Sequence, residues 1–469
     1  MNESQNNQKA VPKRVLTSLL ASVSAGVVPR EGAPYIAIGR RDEIAAILSD
    51  LELVNDGGGA MRFLIGRYGS GKSFLIQLIR GYALERDFIT MDADLSPERR
   101  LYGAGGSGVA TYRELMKNMA SKSSPDGGAL PKIMAKWITK LYSDVISSGG
   151  DLSSPEAKRQ INLNILEALR ESEALVGGFD FSRVVSEYFN AHFSEDEEHK
   201  SACLRWLRGE FATKTEACSA LGFRVSVIID DNNWYDFIKL WAMLVRKLGY
   251  RGLVVFIDEC VNLYKISHKV SRENNYEKIL SMFNDTLQGK APGLQIIFGG
   301  TPQFLEDTRR GLFSYEALKS RLCDSKFMLD GYKNLIGPVI RLRRLTDEEL
   351  YALICRITVL HEQNYSWKAR ITDEEKEEFL RICLSRAGAN TMITPREMLR
   401  DYMTVLNILL QNPDAGFNDI VKTAVTLTTS DDGEEEIGVA AADPSSVAPK
   451  NDGTTEPKKP MFTINDLKF

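Results

Sequence analysis

The chain has 469 residues, and its 59 basic against 63 acidic side chains give a formal net charge of −4. This length allows roughly two to four domains, and the near balance of charge argues against a strongly basic nucleic-acid-binding protein, although a local basic face stays open. Six cysteines without a CxxC pair and four histidines without metal-ligand spacing indicate a reduced compartment and argue against a Cys/His metal site. No run of about 18 apolar residues occurs, so no membrane span is expected.

The first predicted elements are a loose polar arm and a helix that ends near Ala25. Residues 13–28 resemble a secretory signal, but Thr and Ser side chains interrupt the apolar stretch, which fits one face of a helix instead. We therefore expect a cytoplasmic protein. The segment 35–40 comes next, and its end is followed by a predicted helix over residues 42–54.

A phosphate-binding loop is the strongest signal in the chain. An apolar, strand-type run at 61–65 and helical periodicity at 74–83 enclose the pattern Gly66-x-x-x-x-Gly71-Lys72-Ser73. Its backbone N–H groups and the positive end of the next helix suit a polyphosphate. Lys72 is predicted to reach the β- and γ-phosphates of ATP, and Ser73 to bind Mg²⁺. The loop residues predicted to bind the nucleotide are Gly66, Tyr68, Gly69, Ser70, Gly71, Lys72, Ser73 and Phe74.

Residues 88–94 are the second predicted strand, and a glycine-rich segment follows it at 103–108. This segment matches GxGxxG, but no apolar strand runs directly into it, so we interpret it as a loop or hinge. Residues 111–221 have mainly helical patterns and form a predicted insertion. A strand-like run at 225–230 and a helix at 234–248 then return the chain to the sheet.

An acidic strand end completes the predicted nucleotide site. The apolar run 253–257 leads into Asp258 and Glu259, and open α/β sheets bind ligands where their strands end. Asp258 is expected to hold Mg²⁺ and Glu259 to polarise the attacking water. A further buried strand at 293–300 ends at Thr301, which we interpret as a nucleotide sensor, with an ordinary strand end as the alternative.

The C-terminal third is predicted to be a smaller helical domain. Residues 331–345 connect to it, and its helices are expected near 347–360, 373–387 and 395–411. Thr394 and Pro395 form a firm helix start, and a cation in the first turn, Arg396, opposes the helix dipole and suggests an anionic partner. From 428 the composition is that of a linker, and the apolar end 461–469 either docks on its own chain or binds a partner.

Several landmarks together resemble the ATP-binding proteins of BREX-type bacterial phage-defence systems, from about Leu16 to Leu410. The segments that carry the resemblance are 26–30, 38–40, 66–74, 205–210, 251–259, 299–302, 309–318 and 394–397. The resemblance implies an α/β fold of the AAA+ P-loop type, with a parallel sheet, a large helical insertion and a C-terminal helical lid. It also implies a prokaryotic antiphage operon.

The resemblance also assigns roles to single residues. Gly39 and Arg40 match the motif of AAA+ proteins that packs on the adenine, and Arg396 matches the second sensor. Arg321 resembles the arginine that clamp-loader-like subunits donate to a neighbour's nucleotide. Leu322 departs from that pattern, so Arg309 and Arg310 stay open as alternatives.

The predicted domains are an N-terminal arm and helix (1–34), a core in two parts (35–110 and 222–330), the insertion (111–221), the lid (331–427) and an acidic linker with a short apolar end (428–469). The leading hypothesis is an Mg²⁺-dependent ATPase that drives or gates a DNA-directed defence complex. A low-turnover switch or scaffold that recruits effectors is the alternative, and a phosphotransferase is a third. Expected partners are further copies of the chain, other defence subunits and DNA, directly or through those subunits, with no membrane.

Overall fold

The computed structural model describes residues 11–103, 105–149, 151, 154–171, 175–324, 334–386 and 394–421. The fold below is that of the compact unit Met1–Ile420. The predicted linker and apolar end at 428–469 lie outside the described residues. No helix in the described part of the chain is long and apolar enough to span a membrane.

Within the described residues, five strands form one parallel sheet in the order β2-β3-β4-β1-β5. Both faces of its central strands are buried, which explains why most of their residues are apolar. Because all pairs are parallel, the carboxyl ends of the strands lie at one edge. The strands are β1 (Ala60–Ile65), β2 (Ile89–Asp94), β3 (Leu253–Asp258), β4 (Leu294–Gly300) and β5 (Val339–Arg341).

Helices flank the sheet and fill the long connection between β2 and β3. Those before β3 are α1 (Lys13–Ser24), α2 (Arg41–Asn55), α3 (Lys72–Glu85), α4 (Ser107–Lys117), α5 (Leu130–Ser147), α6 (Pro155–Leu169), α7 (Gly178–Phe193), α8 (Glu197–Leu207), α9 (Lys214–Leu221) and α10 (Trp234–Lys247). Those after β3 are α11 (Val261–Tyr264), α12 (Lys269–Leu287), α13 (Pro302–Glu306), α14 (Glu316–Leu322), α15 (Asp347–Tyr365), α16 (Asp373–Arg386) and α17 (Pro395–Gln411).

The two faces of the sheet belong to two hydrophobic cores. Along β3, Val254 and Phe256 pack in the smaller core with α2 and α3. Val255 and Ile257 point the other way, into a larger core that also contains residues of α4 to α10. This alternation follows from the two-residue period of a strand. The helices of the predicted insertion therefore share one continuous core with the sheet.

The outer edge of β2 is covered by its own chain. Thr90 and Ala120 exchange two backbone hydrogen bonds, at 3.0 and 2.8 Å, in an antiparallel bridge. Two residues earlier, the side-chain amide of Asn118 donates to the carbonyl of Asp92 at 2.9 Å. The segment that follows α4 thus occupies hydrogen-bonding groups that an edge strand otherwise exposes.

The prediction of a strand at 225–230 is wrong, because this segment is irregular. The N–H groups of Ser226 and Val227 donate to the buried carboxylate of Asp180, at 2.8 and 2.9 Å, instead of to a neighbouring strand. Its apolar residues Val225 and Ile229 are still buried. The apolar pattern of this run therefore reflects burial without sheet pairing.

The glycine-rich segment that was predicted to be a loop or hinge leads into α4, which begins at Ser107. Here the N–H groups of Gly106, Gly108 and Val109 all donate to the carboxylate of Asp231, at 2.7 to 2.9 Å. A side chain of the protein therefore satisfies the backbone donors that a phosphate would otherwise use.

The connection predicted at 331–345 contains a strand that the sequence analysis missed. Val339, Ile340 and Arg341 form β5 and pair with β1. On β1, Arg62 makes two hydrogen bonds to Asp50 of α2, at 2.6 and 2.7 Å, and also donates to the carbonyls of residues 335–337. The chain that enters β5 is thus anchored to a buried ion pair. The three helices predicted after it correspond to α15, α16 and α17.

Candidate functional site

The phosphate-binding loop lies between β1 and α3. Gly69 and Gly71 have φ values of 75° and 83°, a backbone region that L side chains rarely adopt. Gly71 is the N-cap of α3, and apart from its chain neighbours no described residue comes within 4 Å of the place where a Cβ would stand on it. It directly precedes the positive end of a 14-residue helix. The loop therefore has the shape and polarity of an anion-binding cradle.

Lys72 and Ser73 open α3 and point towards the strand ends. The ammonium group of Lys72 donates to the carbonyl of Gly66 at 3.2 Å. The hydroxyl of Ser73 donates to Oδ2 of Asp258 at 3.0 Å, although 185 residues separate them. A hydroxyl and a carboxylate oxygen at this distance are suitable ligands for one Mg²⁺ ion, which takes few protein ligands and completes its shell with phosphates and water.

Glu259 follows β3 in an unusual backbone conformation. Its φ is 57°, in the left-handed region, and its N–H donates to Oδ1 of Asp258 at 2.8 Å. For a residue other than glycine this conformation costs about 1 to 3 kcal/mol. The side chain is exposed and lines the central cavity, so the strained turn directs a carboxylate into the site.

A third acidic side chain at the same sheet edge was missed by the sequence analysis. Asp94 ends β2 and stands opposite Asp258 in the strand register. Local desolvation and the charges of Asp258 and Glu259 raise the pKa of Asp94 to about 6. The parallel pairing of β2 with β3 was the signal that could have found it, since both strands were predicted to end in aspartate.

These groups open into a cavity of about 220 Å³. The cavity has a polar part formed by the phosphate loop and an apolar part formed by helices distant in sequence. The residues predicted from sequence that line it are Arg40, Tyr68, Gly69, Ser70, Gly71, Lys72, Ser73, Phe74, Glu259 and Arg396. Gly39, Gly66, Asp258, Thr301 and Arg321, also predicted as site residues, lie outside this lining.

The apolar part of the cavity comes mainly from residues that the sequence analysis did not assign. The end of α1 and the turn after it contribute one wall, and α15 and α17 contribute another. This surface suits a flat apolar group such as a nucleobase. The residues are Val23, Val27, Val28, Pro29, Ile36, Ile38, Leu345, Leu353 and Leu399. Residues 26–30 and 38–40 were noted in the sequence, but only the folded chain joins them to α15 and α17.

Gly39 and Arg40 have different surroundings. Gly39 has a φ of 74°, and a Cβ on it would stand 2.4 Å from a carboxylate oxygen of Glu349. Arg40 is only 3% exposed, and its guanidinium donates to the carbonyls of Ser70 and Arg343. Burial lowers the pKa of Arg40, while the carboxylate of Glu43, 3.6 Å away, acts in the opposite direction.

The start of α17 lies against the tip of the phosphate loop. Thr394 is its N-cap and forms a capping box with Glu397. A Cβ on Gly69 would stand 2.8 Å from Cγ2 of Thr394, so the two segments touch. Arg396 is exposed in the first turn and lines the cavity. Arg396 therefore lines the same cavity as the phosphate loop.

Thr301 and the candidate arginines lie farther along the sheet edge. Thr301 directly follows β4 and caps α13, its hydroxyl oxygen accepting from the N–H of Phe304 at 3.3 Å. Arg321 is exposed on α14 and donates to the carbonyl of Ala317. Arg310 lies 5.3 Å from the ring of Tyr264 and donates to carbonyls of its own chain, whereas Arg309 is exposed.

One protein-family model matches nearly all of the described chain. A family model described as BREX system ATP-binding protein BrxC/D matches residues 11–425. The matched region contains the phosphate-binding loop, the acidic end of β3 and the helices that close the cavity. A comparison with curated proteins gives no match. The match covers well over half of the sequence, and the chain therefore belongs to the family of BREX system ATP-binding proteins BrxC/D.

Proposed function

We propose that this protein binds ATP with Mg²⁺ in the central cavity and hydrolyses it, as an AAA+ type ATPase of a bacterial BREX phage-defence system. The observation that carries the proposal is the convergence of three elements on one cavity. The phosphate loop supplies Lys72 and Ser73 to the lining, the end of β3 supplies Glu259, and the start of α17 supplies Arg396. Asp258 lies outside the lining and accepts from the hydroxyl of Ser73. In the sheet, β4 alone separates β1, which leads into the phosphate loop, from β3, which ends in the acidic residues. This strand order supports the AAA+ assignment.

The chain offers suitable groups for each part of the nucleotide. The open space at Gly71 and the N-terminus of α3 fit a phosphate, and Lys72 adds a positive charge there. Ser73 and Asp258 would hold Mg²⁺. The apolar wall from α1, α15 and α17 would take the base. When bound, ATP supplies the phosphoanhydride bond whose hydrolysis is strongly favourable.

The residues have separable tasks in hydrolysis. Glu259 would orient a water molecule and accept its proton, since its carboxylate projects into the cavity from a strained turn. Lys72 and Arg396 would balance phosphate charge, both when ATP is bound and as negative charge shifts during the reaction. Thr301 directly follows β4, the strand between β1 and β3, and would act as a sensor from that position once the site is filled.

We propose further that several chains assemble and that Arg321 acts between subunits. This arginine is exposed on α14, outside the lining of its own cavity, so it would complete the site of a neighbouring subunit. Other BREX subunits, and DNA reached directly or through them, are the proposed partners. Hydrolysis would then drive or gate the complex.

A slowly exchanging switch or scaffold is the second candidate. It is favoured by the packing of α1 against both α15 and α17, since all three helices also line the cavity. A bound nucleotide would therefore hold together helices from opposite ends of the sequence. In that case ATP binding, and not its turnover, would recruit the defence effectors.

Two variants test the proposal against this alternative. Lys72→Ala is expected to lose nucleotide affinity, because Lys72 contributes to binding as well as to the reaction. Glu259→Gln is expected to keep affinity within a few-fold and to lose turnover by about 10² or more, because it removes only a proton acceptor. The exposed Arg41→Ala serves as the control.

Binding is measured by calorimetry with Mg-ATP, and turnover by phosphate release with and without duplex DNA. Equal loss of binding in both variants would contradict the separate roles of Lys72 and Glu259. Tight ATP binding by the unmodified protein with turnover no faster than that of Glu259→Gln would favour the switch. Failure of the unmodified protein to bind ATP would remove both candidates.

A further inference from the structure

Arg40 combines a permanent charge with nearly complete burial. Its side chain lies at the N-cap of α2 and is 3% exposed. Buried arginines need partners that balance the charge and accept their N–H groups. Glu43, one helical turn along α2 and 5% exposed, pairs with it at 3.6 Å. The cost of burying this pair implies that the guanidinium has a task beyond charge balance.

The two carbonyls that accept from Arg40 belong to different parts of the fold. One is Ser70 of the phosphate loop, at 2.8 Å, and the other is Arg343, at 2.5 Å. Arg343 lies in the connection between β5 and α15. One guanidinium nitrogen of Arg40 therefore joins the loop that would bind phosphate to the chain that enters the last helices.

A second set of contacts continues from this connection into α15. The guanidinium of Arg343 donates to the carboxylate of Glu349 at 2.7 Å. The same carboxylate accepts from the N–H of Thr346 in the capping box of α15. Farther along the helix, Arg356 donates to the carbonyl of Tyr35 at 2.9 Å. Segment 35–40 is thus fixed to α15 at Tyr35 and to the connection before α15 at Arg40.

We propose that Arg40 is a positioning residue, which fixes the shape of the phosphate loop and joins it to α15, and that it makes no contact with the base. The inference rests on the proposed function, in that the loop is taken to bind the phosphates of ATP. A phosphate loop works through inward N–H groups, and a carbonyl turned inward would repel the ligand. By holding the carbonyl of Ser70, Arg40 keeps that group away from the phosphates.

The position of α15 explains why the second carbonyl matters. Leu353 of this helix lines the apolar part of the cavity, whereas Ser70 lines the polar part. The contacts through Arg40 and Arg343 therefore set the distance between the surface for the base and the cradle for the phosphates. Phosphate binding in the cradle would in turn stabilise the start of α15, because the carbonyls of Ser70 and Arg343 share the guanidinium of Arg40.

A pair of ligands separates this role from direct recognition of the base. We would measure the affinities of ATP and of inorganic tripolyphosphate, both with Mg²⁺, for the intact protein and for Arg40→Gln. A positioning residue affects the cradle itself, so both affinities should fall by the same factor, about tenfold or more. A loss confined to ATP, with tripolyphosphate unaffected, would overturn the proposal.

Further variants exclude a simple folding defect. Arg40→Gln leaves the buried Glu43 without its cation, so Arg40→Gln/Glu43→Gln is compared with it and should show the same loss of affinity. Arg40→Lys should recover only part of the affinity, because an ammonium has one nitrogen, whereas Arg40 uses one guanidinium nitrogen for the two carbonyls and the other for Glu43. Full recovery by Lys would contradict a geometric role. Arg41→Gln, an exposed neighbour, is the control.

A measurement without nucleotide decides the inference independently of ATP binding. Hydrogen exchange is followed in peptides covering residues 66–71 and 343–350 of the nucleotide-free protein. Arg40→Gln/Glu43→Gln should speed exchange in both segments, while peptides of α5 and α7 stay unchanged. Unchanged exchange in either segment would overturn the joint role of Arg40. If the unmodified protein failed to bind ATP, the proposed function would fall, and this result would still stand.

Discussion

Replacing Asp94 with Asn is expected to stabilise the nucleotide-free protein at neutral pH. Asp94 ends β2 opposite Asp258 of β3, and Glu259 is the residue directly after Asp258. Local desolvation, first, and then the charges of these two carboxylates raise its pKa from 3.8 to about 6. An asparagine keeps the shape of the side chain and removes the negative charge. The variant should therefore relieve repulsion that the folded protein tolerates for the sake of the site.

The sign follows from the direction of the pKa shift. The folded state holds the proton of Asp94 more tightly than the unfolded state, so ionisation lowers stability as the pH rises from about 4 to about 6. Above that range the full cost is present, and below it the cost vanishes. A shift of about two units would correspond to about 3 kcal/mol, but Asp94 is exposed, and solvent screening reduces the expected gain to about 1 kcal/mol.

The assay is urea denaturation of the unmodified protein and of Asp94→Asn at about pH 7.5 and about pH 4.5, with a chelator present. Asp144→Asn, an exposed aspartate on α5, is the matched control. Adding Mg²⁺ should shrink the difference, because a cation held at Asp258 would offset the repulsion. An Asp94→Asn protein that is no more stable at the higher pH, or that gains equally at both, would refute the reasoning.

Two further predictions concern the surroundings of the phosphate loop. Mixing Lys72→Ala with Arg321→Ala, each nearly inactive alone, should restore part of the ATP turnover. An arginine supplied by a neighbour can contribute about 10³ to 10⁵ in rate. Mixed oligomers that stay inactive would show that Arg321 does not act between subunits. Gly69→Ala should weaken Mg-ATP binding without unfolding the protein, because a methyl group at a φ of 75° would press on Thr394. Calorimetry measures the affinity and thermal denaturation the stability. An unchanged affinity would mean that the loop and α17 can move apart at Thr394 without affecting nucleotide binding.

The parts that could be predicted from sequence are those whose chemistry is local. The phosphate loop, the acidic end of β3 and the long apolar strands each carry their signal within a few residues. The start of α17 at Thr394 was equally clear, because its cap and its proline are adjacent in the chain. The pairing of Ser73 with Asp258 was inferred from what the two motifs need, and the structure brings these side chains together.

The rest depends on contacts between distant residues. Residues 225–230 have the apolar pattern of a strand, yet Asp180, over 40 residues upstream, accepts their N–H groups and replaces a sheet partner. The strand β5 has only three residues and pairs with β1, far earlier in the chain, so its own pattern is too short to recognise. The apolar cavity wall is joined from α1, α15 and α17, and no local pattern specifies how they meet.

The covering of the β2 edge has a consequence for how this protein avoids aggregation. Thr90 already uses its N–H and carbonyl with Ala120, and Asn118 occupies the carbonyl of Asp92. A strand from another molecule could pair with β2 only after residues 118–120 had separated from it. Local opening of this short segment, without global unfolding, would therefore be enough to expose the β2 edge to pairing with another molecule.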